Sequence, residues 1–172
     1  MAKRSADPTN GGAPAARQVP MRDFSRSLPM SLLRAREAVM RQFRPSLREH
    51  GLTEQQWRIL RALASIEAAE VTELARTAFL LGPSLSRILR DLEARNLIER
   101  KTAKADQRRN MVSISKEGVK LMASVAPSSE AIYAEITQRF GARKLAELQE
   151  MLGELELCLA STDARDEIAD DA

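Results

Sequence analysis

One cysteine, one histidine, one tryptophan and one tyrosine occur in the 172 residues of this chain, and aromatics make up only 3% of it. With Cys158 alone, no intramolecular disulfide can form, and its place near the end of an apolar seam suits a small apolar side chain better than a sensor. A thiol bridge between two copies would need a close symmetric approach. His50 alone supplies neither a histidine-based triad nor a cluster of metal ligands. No glycine-rich phosphate loop precedes a helix and no nucleophile has a partner base, so the sequence calls for no enzyme, cofactor or metal. Residues 1–21 mix Pro, Gly, Ala, Ser and Asn with Lys3, Arg4 and Arg17 and contain no continuous apolar run. That is the pattern of neither a signal peptide nor a membrane span, and the protein is expected to stay in the cytoplasm.

What is present is charge. Charged residues form 30% of the chain, with a formal net charge of only +3 that hides an asymmetry. Between Pro83 and Arg109, the basic Arg87, Arg90, Arg95, Arg100, Lys101, Lys104, Arg108 and Arg109 outnumber Asp91, Glu93, Glu99 and Asp106. The last stretch opposes Asp163, Asp166, Glu167, Asp170 and Asp171 to Arg165 alone. Concentrated positive charge is the footprint expected for nucleic acid. Residues 1–27 read as a disordered N-terminal tail and 161–172 as an acidic C-terminal tail, leaving 28–160 as one domain of ordinary size.

The positive region carries a pattern. Leu85, Ile88, Leu89 and Leu92 share one helical face, and Pro83, Ser86, Arg87 and Arg90 share the other. Guanidinium groups bond bidentately to guanine edges or phosphates, and serine hydroxyls bond either, so this face suits a DNA major groove. Alone it is an ordinary solvated face; its neighbours change the reading. Upstream, Val71 to Ala78 predicts a short helix with Thr72 as N-cap, then Leu80-Leu81-Gly82-Pro83 acts as breaker and proline start, completing a helix-turn-helix. Downstream, Asn96 tolerates a left-handed helix end. Leu97 to Lys101 and Asn110 to Ile114 then read as two strands of a basic hairpin, a wing. Its tip carries Lys104, Arg108 and Arg109 for phosphates or a minor groove, with Asp106 either orienting one guanidinium or serving as an exposed turn residue. The candidate DNA contacts are therefore Pro83, Ser84, Ser86, Arg87, Arg90, Lys101, Lys104, Asp106, Arg108 and Arg109.

Helical seams flank this region. Val119, Met122, Ala126, Tyr133, Ile136 and Phe140, interrupted by Ser129, and then Leu145, Leu148, Leu152, Leu155 and Leu159, repeat at three-and-four spacing. That is more apolar stripe than a small winged domain covers, so these helices and the first one are expected to pair with a second copy. A twofold dimer places two recognition helices roughly 34 Å apart and predicts a pseudo-palindromic operator. In the first helix Leu33, Met40, Phe43 and Leu47 form a stripe that Arg36 completes. A guanidinium there needs a negative partner, either the carboxylate of a small acid or a structural one such as Glu54. Arg34 points to a polar side with Glu37 and Arg41, and Trp57 lies on an inner face with Leu60 and Leu63.

The strings Asp91-Leu92-Glu93-Ala94-Arg95-Asn96-Leu97-Ile98-Glu99-Arg100, Asp106-Gln107-Arg108-Arg109 and Val112-Ser113-Ile114-Ser115-Lys116-Glu117-Gly118 resemble the signature of the MarR family of winged-helix regulators. Leu33 to Ala38, Phe43-Arg44-Pro45 and Leu52 to Arg58 are similar to one subgroup, the regulators of homoprotocatechuate degradation operons. Asn96 replaces the usual glycine and Ser115 a frequent threonine, both keeping the cap chemistry, whereas Pro127 falls inside a helix the family builds long. The resemblance implies a mainly α fold with a small β wing. A winged helix-turn-helix DNA-binding part at about 53–115 would lie between dimerisation helices at about 28–50 and 116–160. It also implies an effector pocket between the dimer helices and the winged domain, for which Arg36, Arg34 and Trp57 are the candidates. Redox-sensing relatives carry their cysteine in the first helix, where this chain has none.

The residue patterns predict a homodimeric, ligand-responsive repressor that binds double-stranded DNA, and the resemblance to the homoprotocatechuate subgroup implies control of aromatic-compound catabolism with release by a phenolic or aryl carboxylate or its coenzyme A thioester. Two alternatives stay open: a constitutive or nucleoid-type DNA-binding protein without effector, and a helical interaction protein indifferent to DNA.

Overall fold

The computed structural model describes residues 23–103 and 106–169; the side chains of 102–103, 106–110 and 161–169 lie outside the description. Six helices and a three-stranded sheet follow one another as α1 (Leu28–Glu49), α2 (Glu54–Ala64), β1 (Ala69–Glu70), α3 (Val71–Thr77), α4 (Gly82–Ala94), β2 (Ile98–Ala103), β3 (Asp106–Ile114), α5 (Lys116–Phe140) and α6 (Ala142–Ala169). The fold is mainly α with a small β wing, as the sequence predicts. Contacts divide the chain inside α1, residues up to Ala38 forming one unit and those from Val39 a second.

In the first unit a 3-10 turn at Phe24–Arg26 precedes α1. The Asp23 carboxylate accepts the Ser25 amide at 2.7 Å, and hydrogen bonds from Ser25 hold that carboxyl below its ordinary range.

In the second unit, Thr53 starts α2 with a capping box. Its hydroxyl accepts the Gln56 amide at 3.2 Å while the Gln56 side chain accepts the Thr53 amide at 2.8 Å. Ser115 starts α5 by accepting the Gly118 amide at 3.0 Å, and its hydroxyl donates to the Asn96 carbonyl at 2.6 Å, tying α5 to the end of α4. Asn96 is left-handed, with φ 56°. The Leu97 amide reaches back to the Leu92 carbonyl at 2.9 Å, closing a Schellman end. Gly51, at φ 66°, ends α1 in the same way after His50. The expected cap at Thr72 is corrected: the N-cap of α3 is Glu70, whose side chain makes no capping hydrogen bond, because Val71 already enters the helix directly from β1.

The sheet order is β1-β3-β2, with Ala69 opposite Val112 and Ile98 opposite Ile114; the β2–β3 register shifts at Thr102/Ala103. The core sits where α2, α3 and α4 meet this sheet, with Ile59, Leu60, Leu63, Leu74, Leu85, Leu89, Leu92 and Val112 buried. Each such aliphatic side chain contributes about 1.5–3 kcal/mol. Phe43 and Leu47 of α1 and Val125 of α5 complete it, Phe43 meeting the Tyr133 ring edge-on at 5.0 Å.

Two expectations change. The α5 seam divides: Leu121, Met122, Val125, Ser129, Ile132 and Ile136 turn inward, so Ser129 belongs to the packed side, while Val119, Ala126, Tyr133 and Phe140 stay exposed. A 3.6-residue helix presents both sets at neighbouring angles, and only packing separates them. The helix α6 runs to Ala169, past residue 161 where the acidic tail was expected to begin, and α5 runs through Pro127. Residues 1–22, the bulk of the predicted N-terminal tail, lie outside the described residues.

Candidate nucleic-acid interface

The helix α4 is placed by its apolar face. Leu85, Leu89 and Leu92 are fully buried and anchor it against α2, α3 and the sheet, so Pro83, Ser84, Ser86, Arg87 and Arg90 are left on the exposed side. Pro83 stands in the first turn, where its missing N–H costs nothing. The Arg90 guanidinium donates to the Ser86 carbonyl at 3.4 Å, which lays it along the helix. Arg87 has no hydrogen bond or ion pair with the other described residues. With Ser84 it lines a cleft of ≈ 470 Å³ that Thr53 and Gln55 of α2 close from the other side. The floor is set by Gln56, whose side-chain amide donates to Asp91 at 2.6 Å, and Arg95 pairs with that same carboxylate at 3.6 Å. Such a surface can present donors to phosphates and base edges together.

The wing begins at once after α4. Lys101 stands on β2 two residues from Glu99, hence on the same strand face, and pairs with it at 2.9 Å. Their hydrogen bond holds the Glu99 carboxyl below its ordinary value and raises the Lys101 ammonium. Arg100, on the opposite face, reaches Glu93 of α4 at 3.7 Å. Lys104 lies outside the described residues. The expected tip position of Arg108 and Arg109 is corrected: β3 begins at Asp106, opposite Ala103, rather than at Asn110, so the backbone of Asp106, Arg108 and Arg109 is strand, and their side chains lie outside the description.

Three arginines and one glutamate escaped the sequence reading as a group. Arg44 of α1 pairs with Glu54 of α2 at 3.2 Å, and Arg58 pairs with the other Glu54 oxygen at 3.5 Å. Arg58 also donates to the Ala78 carbonyl at 2.7 Å, at the end of α3. Glu54, with a side chain only 13% exposed, thus connects α1 to the turn before α4. The third arginine, Arg61, stacks its guanidinium 6.0 Å from the centre of the half-buried Trp57 ring. The spacing of Glu54 and Arg58 signals a helical ion pair; nothing in the sequence signals Arg44 or the Ala78 carbonyl.

Of the candidate effector residues, Arg34 and Arg36 belong to the first unit and Trp57 to the second. Arg34 donates to the Ser25 carbonyl, and Arg36 pairs with Glu37 at 2.9 Å on a helix surface where its side chain is 44% exposed. Glu54 is the carboxylate bonded by Arg44 and Arg58. Trp57 packs against the core of the second unit. Among the described residues no cluster of His, Cys, Asp and Glu fits a metal ion, and no helix is long and apolar enough to cross a membrane.

Residues 50–109, the span that carries α2 to the start of β3, match the MarR family. Over 128 residues the chain is 41% identical to the homoprotocatechuate degradative operon repressor of Escherichia coli, covering 74% of this chain and 86% of that one. It is 37% identical over 137 residues to the HTH-type transcriptional regulator FarR of Neisseria gonorrhoeae, covering 80% and 94%. Among solved structures, NadR in complex with 4-hydroxyphenylacetate superposes with a TM-score of 0.70 at 37% identity, covering 80% of this chain and 97% of that one.

Proposed function

Since this chain belongs to the MarR family of transcription regulators, we propose that it is a dimeric, cytoplasmic repressor that inserts α4 into the major groove of a pseudo-palindromic operator and is released by an aromatic acid. The observation that carries the reading is the two-sidedness of α4. Its leucines are buried, and Pro83, Ser84, Ser86, Arg87 and Arg90 face outward beside a wing. Arg87 and Ser84 are the base readers, and Arg90 and Lys101 neutralise phosphates together with Lys104, Arg108 and Arg109 of the wing; Asp106 orients a wing arginine.

The effector is an aryl carboxylate, a phenolic acid or its coenzyme A thioester. A relative's role as repressor of a homoprotocatechuate operon and the 4-hydroxyphenylacetate bound to NadR support this class. Arg36 supplies the bidentate partner for the carboxylate, with Arg34 and Trp57 as the other contributing side chains. Effector binding shifts the population toward a spacing of the two recognition helices that no longer matches the operator, for which a coupling of about 1–3 kcal/mol suffices.

The test is fluorescence anisotropy of the full chain on the DNA upstream of its own gene, titrated with 4-hydroxyphenylacetate, homoprotocatechuate, hydroxycinnamates and their thioesters. Sequence-specific binding relieved by one of these supports the proposal. Specific binding that none of them disturbs removes the inducer chemistry, and equal affinity for all duplexes of one length favours the constitutive DNA-binding protein.

A further inference from the structure

Two residues beside α4 stand where their chemistry is unfavourable. The α3 helix ends in the same Schellman geometry as α1 and α4, with the Leu80 amide bonded to the Ala75 carbonyl at 2.9 Å. At the left-handed position, however, α1 has Gly51 and α4 has Asn96, whereas α3 has Phe79 at φ 50°. A left-handed aromatic residue is strained, and this one is also 77% exposed. Two residues on, Leu81 is the N-cap of α4. Where Thr53 and Ser115 cap α2 and α5 with their hydroxyls, Leu81 makes no cap bond and is 80% exposed. Both side chains border an open hollow of ≈ 760 Å³ whose rim includes Thr72 and Arg76.

Local rules broken at two positions of one turn mark a surface used for something other than stability. Leu80 lines both this hollow and the cleft beside Ser84 and Arg87, and the exposed Arg76 on the rim gives the hollow the charge of a nucleic-acid contact rather than of a protein seam. An apolar group at the leading end of a helix in the major groove meets one apolar feature there, the 5-methyl group of thymine. We infer that Leu81, with Phe79 beside it, reads thymine methyl groups and is a specificity-determining contact distinct from the arginines. This rests on the reading that α4 enters the major groove.

The experiment uses the full chain and the tightest-binding duplex selected from a random-sequence pool, resynthesised with each thymine in turn replaced by deoxyuridine, which removes the methyl group and nothing else. For the native protein, the expected result is a loss of about fourfold in affinity at one or two thymines per half-site, the value of one methyl-sized group removed from water. Leu81→Ser should abolish that loss at one of them while raising the unfolding temperature, because serine caps α4. Phe79→Asn, which relieves the left-handed strain, should likewise raise it. Deoxyuridine that leaves native affinity unchanged everywhere overturns the inference, as does Leu81→Ser retaining the full loss. Lower unfolding temperatures in both variants would assign the two residues to the fold instead. If no duplex is preferred over any other, the regulator reading itself fails and this one with it.

Discussion

Arg87 projects from α4 without a partner among the described residues, so its bonding capacity is available to DNA at little cost to the fold. Arg87→Ala should relax discrimination at one operator position by about 1–3 kcal/mol, measured by binding to single-base operator variants, and leave the unfolding temperature in place. Lys101 is in the opposite condition, because Glu99 holds it at 2.9 Å. The Glu99 pKa is lowered, so its share of the pair is present above the ordinary glutamate range and lost as pH falls through the lowered value. The Lys101 pKa is raised, so its share is present below the ordinary lysine range and lost as pH rises through the raised value. Across neutral pH both stay charged, and the carboxylate competes with phosphate. Glu99→Gln should therefore strengthen binding to every DNA sequence and steepen its salt dependence by about one phosphate contact, read from affinity against salt concentration. Arg36, paired with Glu37 on an exposed surface, separates effector from fold. Arg36→Ala should keep operator binding and lose the response to aryl acids in the anisotropy titration, whereas loss of self-association or unfolding would assign Arg36 to structure.

Between α4 and α5 one position sets the spacing of whole elements. A Cβ at Gly118 would lie 2.2 Å from the Leu97 carbonyl oxygen and 2.8 Å from Ile114, so α5 can approach the sheet this closely only with glycine there. Gly118→Ala should cost about 1–3 kcal/mol in denaturant unfolding, since the clash is with backbone that cannot rotate away. Farther along α5 the exposed Val119, Ala126, Tyr133 and Phe140 recur every seventh residue, the period of a helix-pairing seam, and Met151, Leu152, Leu157 and Leu159 of α6 are exposed as well. Introducing Phe140→Glu should weaken self-association in sedimentation without lowering the helical signal, because no core contact is removed. Helix identities, the breaker before Pro83, the left-handed Asn96 and the existence of two wing strands were legible in the sequence, since caps and periodicity are local, whereas the start of β3 at Asp106 was not. The division of the α5 seam and the start of α3 were not, because they depend on what packs alongside.

For the whole molecule, a twofold dimer would make operator recognition depend on the helical phase between half-sites. Inserting about 5 base pairs between them should abolish tight binding, and inserting about 10 should restore part of it, in the same anisotropy assay. This expectation needs nothing beyond the amphipathic α4 and the surplus apolar stripes, and both can be read along the chain. The sequence by itself determined the winged helix-turn-helix and its basic outer face, because each is a matter of residue type at short spacing. Only the tertiary structure decided which charges are engaged. It tied Arg44, Glu54 and Arg58 to the end of α3, set Lys101 against Glu99, gave Arg36 to Glu37 and left Arg87 facing outward. It also exposed Phe79 and Leu81 in the turn before α4. Periodicity says which face a side chain shares; what meets that face depends on elements distant in sequence, and so on packing.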